Sequence, residues 1–476
     1  MDKHTDPGTE IWRPIVVRRS GSEFLVLEDE AGFRLPNIEI PRGTRVALEL
    51  NAHLKAVWDL ESFSLYALQT KPVASDRLNP RYYAVESVAH DADTIRSGRW
   101  LDMCSSEEVH FDDIADLTAI RQWREDVVHS KSNGNQSAFG TPGSLTRIRE
   151  WVQDSLLAYR LRLTGRFSQF NAGKTFGLIR FETDNEAVWF KAVAPPNQRE
   201  FPLTVALCQR LPAHTPELLA TRPRWNAWLT REAAGPRLSQ CRDITPWSNA
   251  ARDLAAFQIS SVGATDCVLQ CGGRDLRPQA LRELIGPFFE SLGELMDRQT
   301  CPVPRKLSPE ELVELQRDIH TAIHVLHEAD VPISLGHLDL NPENIIALPD
   351  RTVFLDWAEA AVGHPFLSLA YLIEHCRQSF DARSDCTTPL VRAYLNRWNV
   401  QGLFKNPEKL LCLALLLAVL AHAVSTEGWR NTAELQDPSV AGYYRSLARR
   451  MKAYADPIRE RDFSRFRTVR LNWRLP

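Results

Sequence analysis

The 476-residue chain has no Cys-x-x-Cys pair, no one-sided block of charge, no internal repeat and no apolar run long enough to cross a bilayer. Each absence removes a class of function. The nine cysteines are scattered, and the closest two, Cys267 and Cys271, lack a second His or Cys pair at zinc-site spacing. A zinc module or disulfide framework is therefore not expected, and the thiols read as reduced. Basic residues number 57 and acidic residues 60, a net charge of −3. Binding to a phosphate backbone leaves a basic footprint, so nucleic acid is not expected as a partner. The opening MDKHTDPGTE is polar and acidic, unlike a secretory signal. The longest apolar run, LLCLALLLAVLAHAV (Leu410–Val424), is shorter than a membrane span and contains His422, so it reads as a buried helix. The expectation is a cytoplasmic protein with no membrane partner. What remains, 44% apolar and 25% charged residues, suits two or three globular domains.

The segment SKSNGNQSAFGTPGS (Ser130–Ser144) is poor in core formers and predicts a linker over 131–144. Residues 1–130 before it open with the strand-like runs PIVVRR and EFLVLED and continue into VALELNAHLKAVWDL at helical spacing. After the linker, LTRIREWVQDSLLAYRL is helical in pattern. TFGLIRFET and AVWFKAV follow as strands joined at DNE. From about residue 245 the pattern is mostly helical, with periodic segments at 249–262, 277–298, 308–329 and 407–424. A short β pair, NIIALPDRTVFLDW, interrupts them. The order predicts a small β-rich lobe and a large α-rich lobe, preceded by a separate α/β domain.

One stretch imitates a phosphate-binding P-loop. SQFNAGKTFG (Ser168–Gly177) contains Gly173-Lys174-Thr175, but Ser168 holds the place of the first glycine. The residues after Thr175 alternate as a strand, whereas a P-loop runs into a helix whose N-terminus completes the phosphate cradle. A P-loop is not expected here.

The chemistry-bearing stretch is GHLDLNPENIIALPDRTVFLDWAEA, Gly336 to Ala360. Asp339 and Asn344 have the D-x-x-x-x-N spacing of a phosphoryl-transfer loop, and Asp356 ends an apolar strand twelve residues after Asn344. A carboxylate can orient an acceptor hydroxyl and take its proton, while an amide oxygen and a second carboxylate hold Mg²⁺ on nucleotide phosphates. A hairpin turning at Pro349-Asp350-Arg351 would bring Asn344 and Asp356 together.

His337-Leu338-Asp339, Asn344 and Leu355-Asp356-Trp357 resemble the H-G-D-x-x-x-x-N…I-D-W signature of the aminoglycoside phosphotransferase family, kinase-like enzymes acting on small molecules. The segment Glu359–Leu372 resembles that family's G-[DH]-P-x-x-[DS]-L. Leu338 stands where the family has glycine, and His364 and Ser368 stand where many members carry aspartate. The resemblance covers about residues 145–455. It implies an α+β, bilobal protein-kinase-like fold, with the N-lobe over 145–232, the C-lobe over 233–460 and a tail over 461–476. It implies an ATP-dependent phosphotransferase with ATP and Mg²⁺ as cofactors and a small-molecule hydroxyl as acceptor. Asp339 and His337 would be catalytic, with His337 bracing the loop, and Asn344 and Asp356 would hold metal. Lys191, at the end of an apolar strand, would hold the nucleotide phosphates, and Glu200 would hold Lys191. The Gly173 and Lys174 backbone would touch phosphate from a hairpin turn, and the backbone near Arg231 and Ala233 would meet the base. Of the acids after Asp356, namely Glu359, Glu374 and Asp381, Glu359 is the substrate candidate.

Arg34–Leu60 resembles a degenerate Nudix box. Leu54 and Leu60 keep its apolar positions, while Ile38, Thr44, Ala52, His53, Ala56, Val57 and Asp59 replace its glycines, arginine and metal carboxylates. A Nudix-like but inactive accessory domain follows from that resemblance. The rival reading of the whole chain is a nucleotide-binding pseudokinase or scaffold whose Nudix-like domain senses a ligand.

Overall fold

The structure is a computed structural model that describes residues 8–30, 32–69, 81–88, 98–104, 109–132, 139–380, 385–399 and 407–460. The predicted tail 461–476, and Asp381, lie outside them. Two compact units are present, Met1–Phe201 with Glu217–Glu232, and Pro202–Pro216 with Ala233–Pro476. The units therefore divide near residues 201 and 232, and the first holds described residues on both sides of the expected linker.

The first unit is built on two sheets. Strands β1 (Thr9–Arg18), β2 (Glu23–Asp29), β3 (Gly32–Arg34), β4 (Ile38–Pro41), β5 (Ser62–Ala67), β6 (Arg81–Ser87) and β7 (Arg99–Asp102) form a seven-stranded mixed sheet. The spine of this sheet is β3-β2-β1-β6-β5, with β1 and β6 parallel. Its central strands β1 and β6 are apolar without strict alternation because both their faces are buried. Ile15, Val17, Tyr82 and Ala84 join one core, while Val16, Tyr83 and Val85 join another with Leu50 and Leu54 of helix α1 (Val46–Trp58). The first core extends without interruption into the second sheet. That sheet, in order β11-β12-β10-β9-β8, is antiparallel: β8 (Leu163–Asn171), β9 (Phe176–Thr183), β10 (Ala187–Val193), β11 (Leu218–Arg222) and β12 (Ala227–Arg231). Phe63, Trp123, Ile148, Phe181 and Phe190 share the core, so helices α2 (Ile114–Ser132) and α3 (Ser144–Leu156) pack with strands of both sheets. The expected hairpin at DNE is present, closed by Thr183 N–H donating to the Glu186 carbonyl at 3.0 Å.

The expected linker is in part a fastened strap. Residues 131–132 complete α2, and 133–138 are outside the described residues. Phe139 is buried, and a Cβ on Gly177 would sit 3.4 Å from it. Gly143 N–H donates to both carboxylate oxygens of Glu86, at 2.8 and 2.9 Å. Strand β4 leads into α1, whose Asn51 holds Ser62 and Ser64 of β5 and Gln169 of β8.

Helix α4 (Glu200–Arg210) begins in the first unit and continues in the second. The second unit contains α5 (Ile244–Ser261), α6 (Thr265–Gln270), β13 (Arg274–Leu276), α7 (Pro278–Asp297), α8 (Pro309–Glu328), β14 (Ser334–His337), β15 (Ile345–Ala347), β16 (Thr352–Phe354) and β17 (Ala360–Gly363). Helices α9 (Phe366–Ser379), α10 (Thr387–Asn399), α11 (Pro407–Ser425) and α12 (Pro438–Arg459) complete it. Its helical starts are written locally. Ser308 caps α8 in a reciprocal box with Glu311, and Pro309 occupies the first turn, where its missing N–H costs nothing. Helix α11 is buried on nearly all sides, as its apolar run predicts, and among the described residues no helix is long and apolar enough to cross a membrane. Strands β13-β17-β14 form a small sheet, and β15 and β16 form the expected hairpin.

Candidate active site

The phosphoryl-transfer motif folds as a β14–loop–β15 turn. His337 ends β14 and is buried, its ring 4.6 Å from that of Trp357. Asp339 N–H donates to His337 Nδ1 at 3.2 Å, which leaves the ring proton on Nε2, 2.8 Å from the Leu355 carbonyl it donates to. Both nitrogens are thus committed to backbone, and His337 braces the loop. Ser368, fully buried on α9, accepts the His337 backbone N–H at 2.8 Å. A Cβ at Gly336 would lie 3.0 Å from the Ser368 Oγ, so this close approach suits glycine. Leu338 buries its side chain in the helical core while its N–H donates to the Glu359 carbonyl at 3.2 Å. The leucine is accommodated because it points inward.

Asn344 and Asp356 come together as the hairpin requires. Leu355 N–H donates to the Asn344 carbonyl at 2.8 Å, and Asn344 Nδ2 donates to Asp339 Oδ2 at 3.1 Å. Asp356 follows in a left-handed conformation, φ +60°, a geometry that aspartate tolerates better than most side chains. Its carboxylate stays exposed.

Glu359 is not a free surface acid. Arg274 on β13 reaches its Oε2 through Nε at 2.8 Å and through Nη2 at 2.6 Å. Arg274 is a residue the sequence reading missed, and its role follows from β13 lying parallel beside β17. The Asp339 carboxyl is pushed above the ordinary aspartate range, first by burial and then by the charges of Asp356 and Glu359. The Asn344 hydrogen bond opposes that shift. Glu374 is buried and held by Tyr454 and Arg377, each at 2.9 Å, and burial raises its pKa.

In the first unit, Lys191 sits near the end of β10, flanked by Leu178 on β9 and Trp228 on β12. Its Nζ meets Glu200 Oε1 at 2.5 Å, and Glu200 at the start of α4 is 3% exposed. Lys174 behaves differently. It pairs with Asp126 of α2 at 2.7 Å and lies 4.3 Å over the ring of Tyr66. Thr175 leads straight into β9, so the turn is a β-hairpin and not a P-loop. A Cβ at Gly140 would come within 3.4 Å of the Gly173 carbonyl, so the strap lies against this turn. Arg231 uses its N–H on the Glu217 carbonyl and its side chain on Glu217 and Glu186. The Ala233 carbonyl accepts from Gly235 N–H at 2.9 Å.

No protein-family model and no curated protein matches the chain. Solved structures do. A choline kinase from Cryptosporidium parvum Iowa II superposes with a TM-score of 0.46 at 10% identity, covering 68% of this chain and 98% of its own. A choline/ethanolamine kinase family protein from Mesorhizobium loti gives 0.42 at 16% identity, over 64% and 94%. Spectinomycin phosphotransferase, solved with ADP and spectinomycin, gives 0.38 at 10% identity, over 64% and 98%. The Nudix-like reading of residues 34–60 is unsupported by these three structures. All three scores lie below 0.5, so the function is read from this chain's own side chains.

Proposed function

We propose that the protein is a small-molecule phosphotransferase that moves the γ-phosphoryl group of ATP to a hydroxyl. The observation that carries this reading is the triangle of Asp339, Asn344 and Asp356, held by one asparagine side chain and one backbone hydrogen bond. Asp339 positions the acceptor hydroxyl and takes its proton as the oxygen attacks the γ-phosphorus. The bond from phosphorus to the β–γ bridging oxygen breaks, and ADP leaves with that electron pair. Its raised pKa makes Asp339 a stronger base than a solvated carboxylate.

Because Asn344 Nδ2 is spent on Asp339, its Oδ1 is assigned, with the Asp356 carboxylate at the open end of the same hairpin, as a hard oxygen donor. That donor set fits Mg²⁺, which takes few protein ligands and completes its shell with water and phosphate oxygens. Among the described residues no three His, Cys, Asp or Glu side chains converge as a metal nest, so such a cation would be held jointly with the nucleotide. When bound it would neutralise charge on the phosphates. Lys191, held in place by Glu200, supplies the positive charge for the nucleotide phosphates, and Lys174 anchors its hairpin to Asp126. The test is an untargeted metabolite screen for a mass gain of one phosphoryl group, run with Asp339→Asn as control. Nucleotide binding without transfer to any acceptor would overturn the reading in favour of a pseudokinase.

A further inference from the structure

Helices α7 and α8 leave a groove of about 340 Å³ between them in the helical unit. Phe289, Met296 and Leu312 give it an apolar floor, and Val313 on its rim is 57% exposed. Gly286 and Gly293 of α7 also line it, and a Cβ at either would meet nothing within 4 Å. The trough is therefore open to a side chain from elsewhere. Its two charged lining side chains, Glu290 and Asp297, are both acidic and exposed. Neither carboxylate has a hydrogen bond or ion pair among the described residues. An acidic, apolar trough of this kind fits a segment that mixes cations with large apolar side chains.

This chain carries such a segment. Residues 461–476, RDFSRFRTVRLNWRLP, interleave five arginines and one aspartate with Phe463, Phe466 and Trp473, a net charge of +4 in a chain whose total is −3. The segment begins beside the groove. Helix α12 ends at Arg459, whose guanidinium pairs with Glu314 at 2.9 Å and with Asp318, both on α8. Val313, on the rim, is the next residue to Glu314. A helix with its side chains is about 10–12 Å across, whereas sixteen extended residues reach about 50 Å. Crossing α8 from Glu314 to the groove uses a fraction of that length.

We propose that residues 461–476 dock in the α7–α8 groove of their own chain, with arginines against Glu290 and Asp297 and an aromatic side chain over Gly293. Arginine suits this place because its guanidinium is weakly hydrated and meets a carboxylate at an apolar edge with little loss of solvation. Attachment to α12 makes the binding intramolecular, so a contact too weak to hold a free peptide suffices. The surface belongs to α7 and α8 and does not depend on the phosphotransferase reading.

Carbodiimide cross-linking tests it, because the reagent joins carboxylates to lysine amines and leaves arginine alone. The full chain carrying Arg470→Lys and Arg474→Lys therefore reports which acids these two positions approach. The expected result is cross-linked peptides joining 461–476 to Glu290 or Asp297 in the monomer band, at a yield that does not change on dilution. Adding Gly293→Leu fills the trough and puts a better helix former into α7. It should cut that yield about tenfold by excluding the segment, with an unchanged circular dichroism spectrum. Cross-links from positions 470 and 474 to other acids only, or to none, would overturn the proposal. So would a full yield in folded Gly293→Leu. Links to Glu290 and Asp297 found only in a dimer band would overturn it too, by making a second copy the source of the segment. The map from the double lysine variant decides even if Gly293→Leu does not fold.

Discussion

Asn344 donates from Nδ2 to Asp339 Oδ2 at 3.1 Å while its own carbonyl accepts Leu355 N–H at 2.8 Å. One residue thus ties the proton acceptor to the strand that delivers Asp356. Asp339→Asn keeps the shape of the loop but cannot take a proton, so phosphoryl transfer should fall by about 10²–10⁴-fold. Nucleotide affinity should not change, because Asp339 is assigned to the acceptor. Parallel measurements of ADP release and ATP binding check this. A variant that loses both would show that Asp339 supports the nucleotide instead.

The electrostatics around Asp339 give a pH dependence with a defined sign. Burial, Asp356 and Glu359 raise its pKa, so the carboxylate form needed for catalysis disappears at a higher pH than for a solvated aspartate. Glu359→Gln removes one repelling charge and releases Arg274 from its partner, and both changes favour ionised Asp339. The acid limb of kcat/KM should therefore move to lower pH. An unmoved limb would mean that another group titrates in the rate. The same shift predicts a stability effect. A raised carboxyl pKa contributes stability below its unfolded value, and that contribution is lost as pH rises through the folded value. Asp339→Asn should consequently unfold at higher temperature than the parent at neutral pH, where the parent carries a buried charge.

Two lysines close in sequence should behave differently. Lys191 and Glu200 form a shielded pair at 2.5 Å, and removing the lysine leaves a buried carboxylate without that partner. Lys191→Met should cost about 3 kcal/mol of stability and most of the ATP affinity. Adding Glu200→Gln should restore much of the stability but not the affinity. Lys174 is about half exposed and pairs with Asp126, so Lys174→Ala should cost less than about 1 kcal/mol and leave ATP binding unchanged. Titration of both variants with ATP separates the two roles. Weakened binding in Lys174→Ala would return that turn to the nucleotide site.

What could be read from the chain before folding was local. The helical period over 308–329, the buried run of α11, the DNE hairpin and the turn at Pro349-Asp350-Arg351 all depend on residues close in sequence, and each is present. Asp339, Asn344 and Asp356 were legible for the same reason, since their spacing and one hairpin suffice to bring them together. Arg274 was not, because it meets Glu359 across 85 residues through a parallel strand pair that leaves no periodic mark. Glu374 could equally have faced solvent, and its partner Tyr454 lies 80 residues away on α12. The polar stretch 130–144 looked like a linker by composition. Two of its residues, Phe139 and Gly143, nonetheless fasten it, and their partners Gly177 and Glu86 lie far off in sequence.

Gln169 on β8 ties helix α1 and strand β5 to the sheet that carries Lys191. Its Oε1 accepts from Ser64 N–H at 2.7 Å and from Asn51 Nδ2 at 3.0 Å, while its Nε2 donates to the Ser64 carbonyl at 2.8 Å. The side chain acts as an added rung of strand β5 and is 3% exposed. Water cannot readily replace it there. Gln169→Ala strands the Ser64 N–H, the Ser64 carbonyl and the Asn51 amide together, and should cost about 2–4 kcal/mol. Gln169→Glu keeps the acceptor but turns the donor into a second acceptor facing the Ser64 carbonyl, so it should be destabilising too. Because the core around Phe63, Phe181 and Phe190 is shared, the loss should lower the unfolding of residues 9–193 as one step. Hydrogen exchange can follow β5 and β9 amides separately in the variant. If β5 loosened while β9 kept its protection, the N-terminal sheet would be an independent domain after all, and Gln169 a surface contact between two folded pieces.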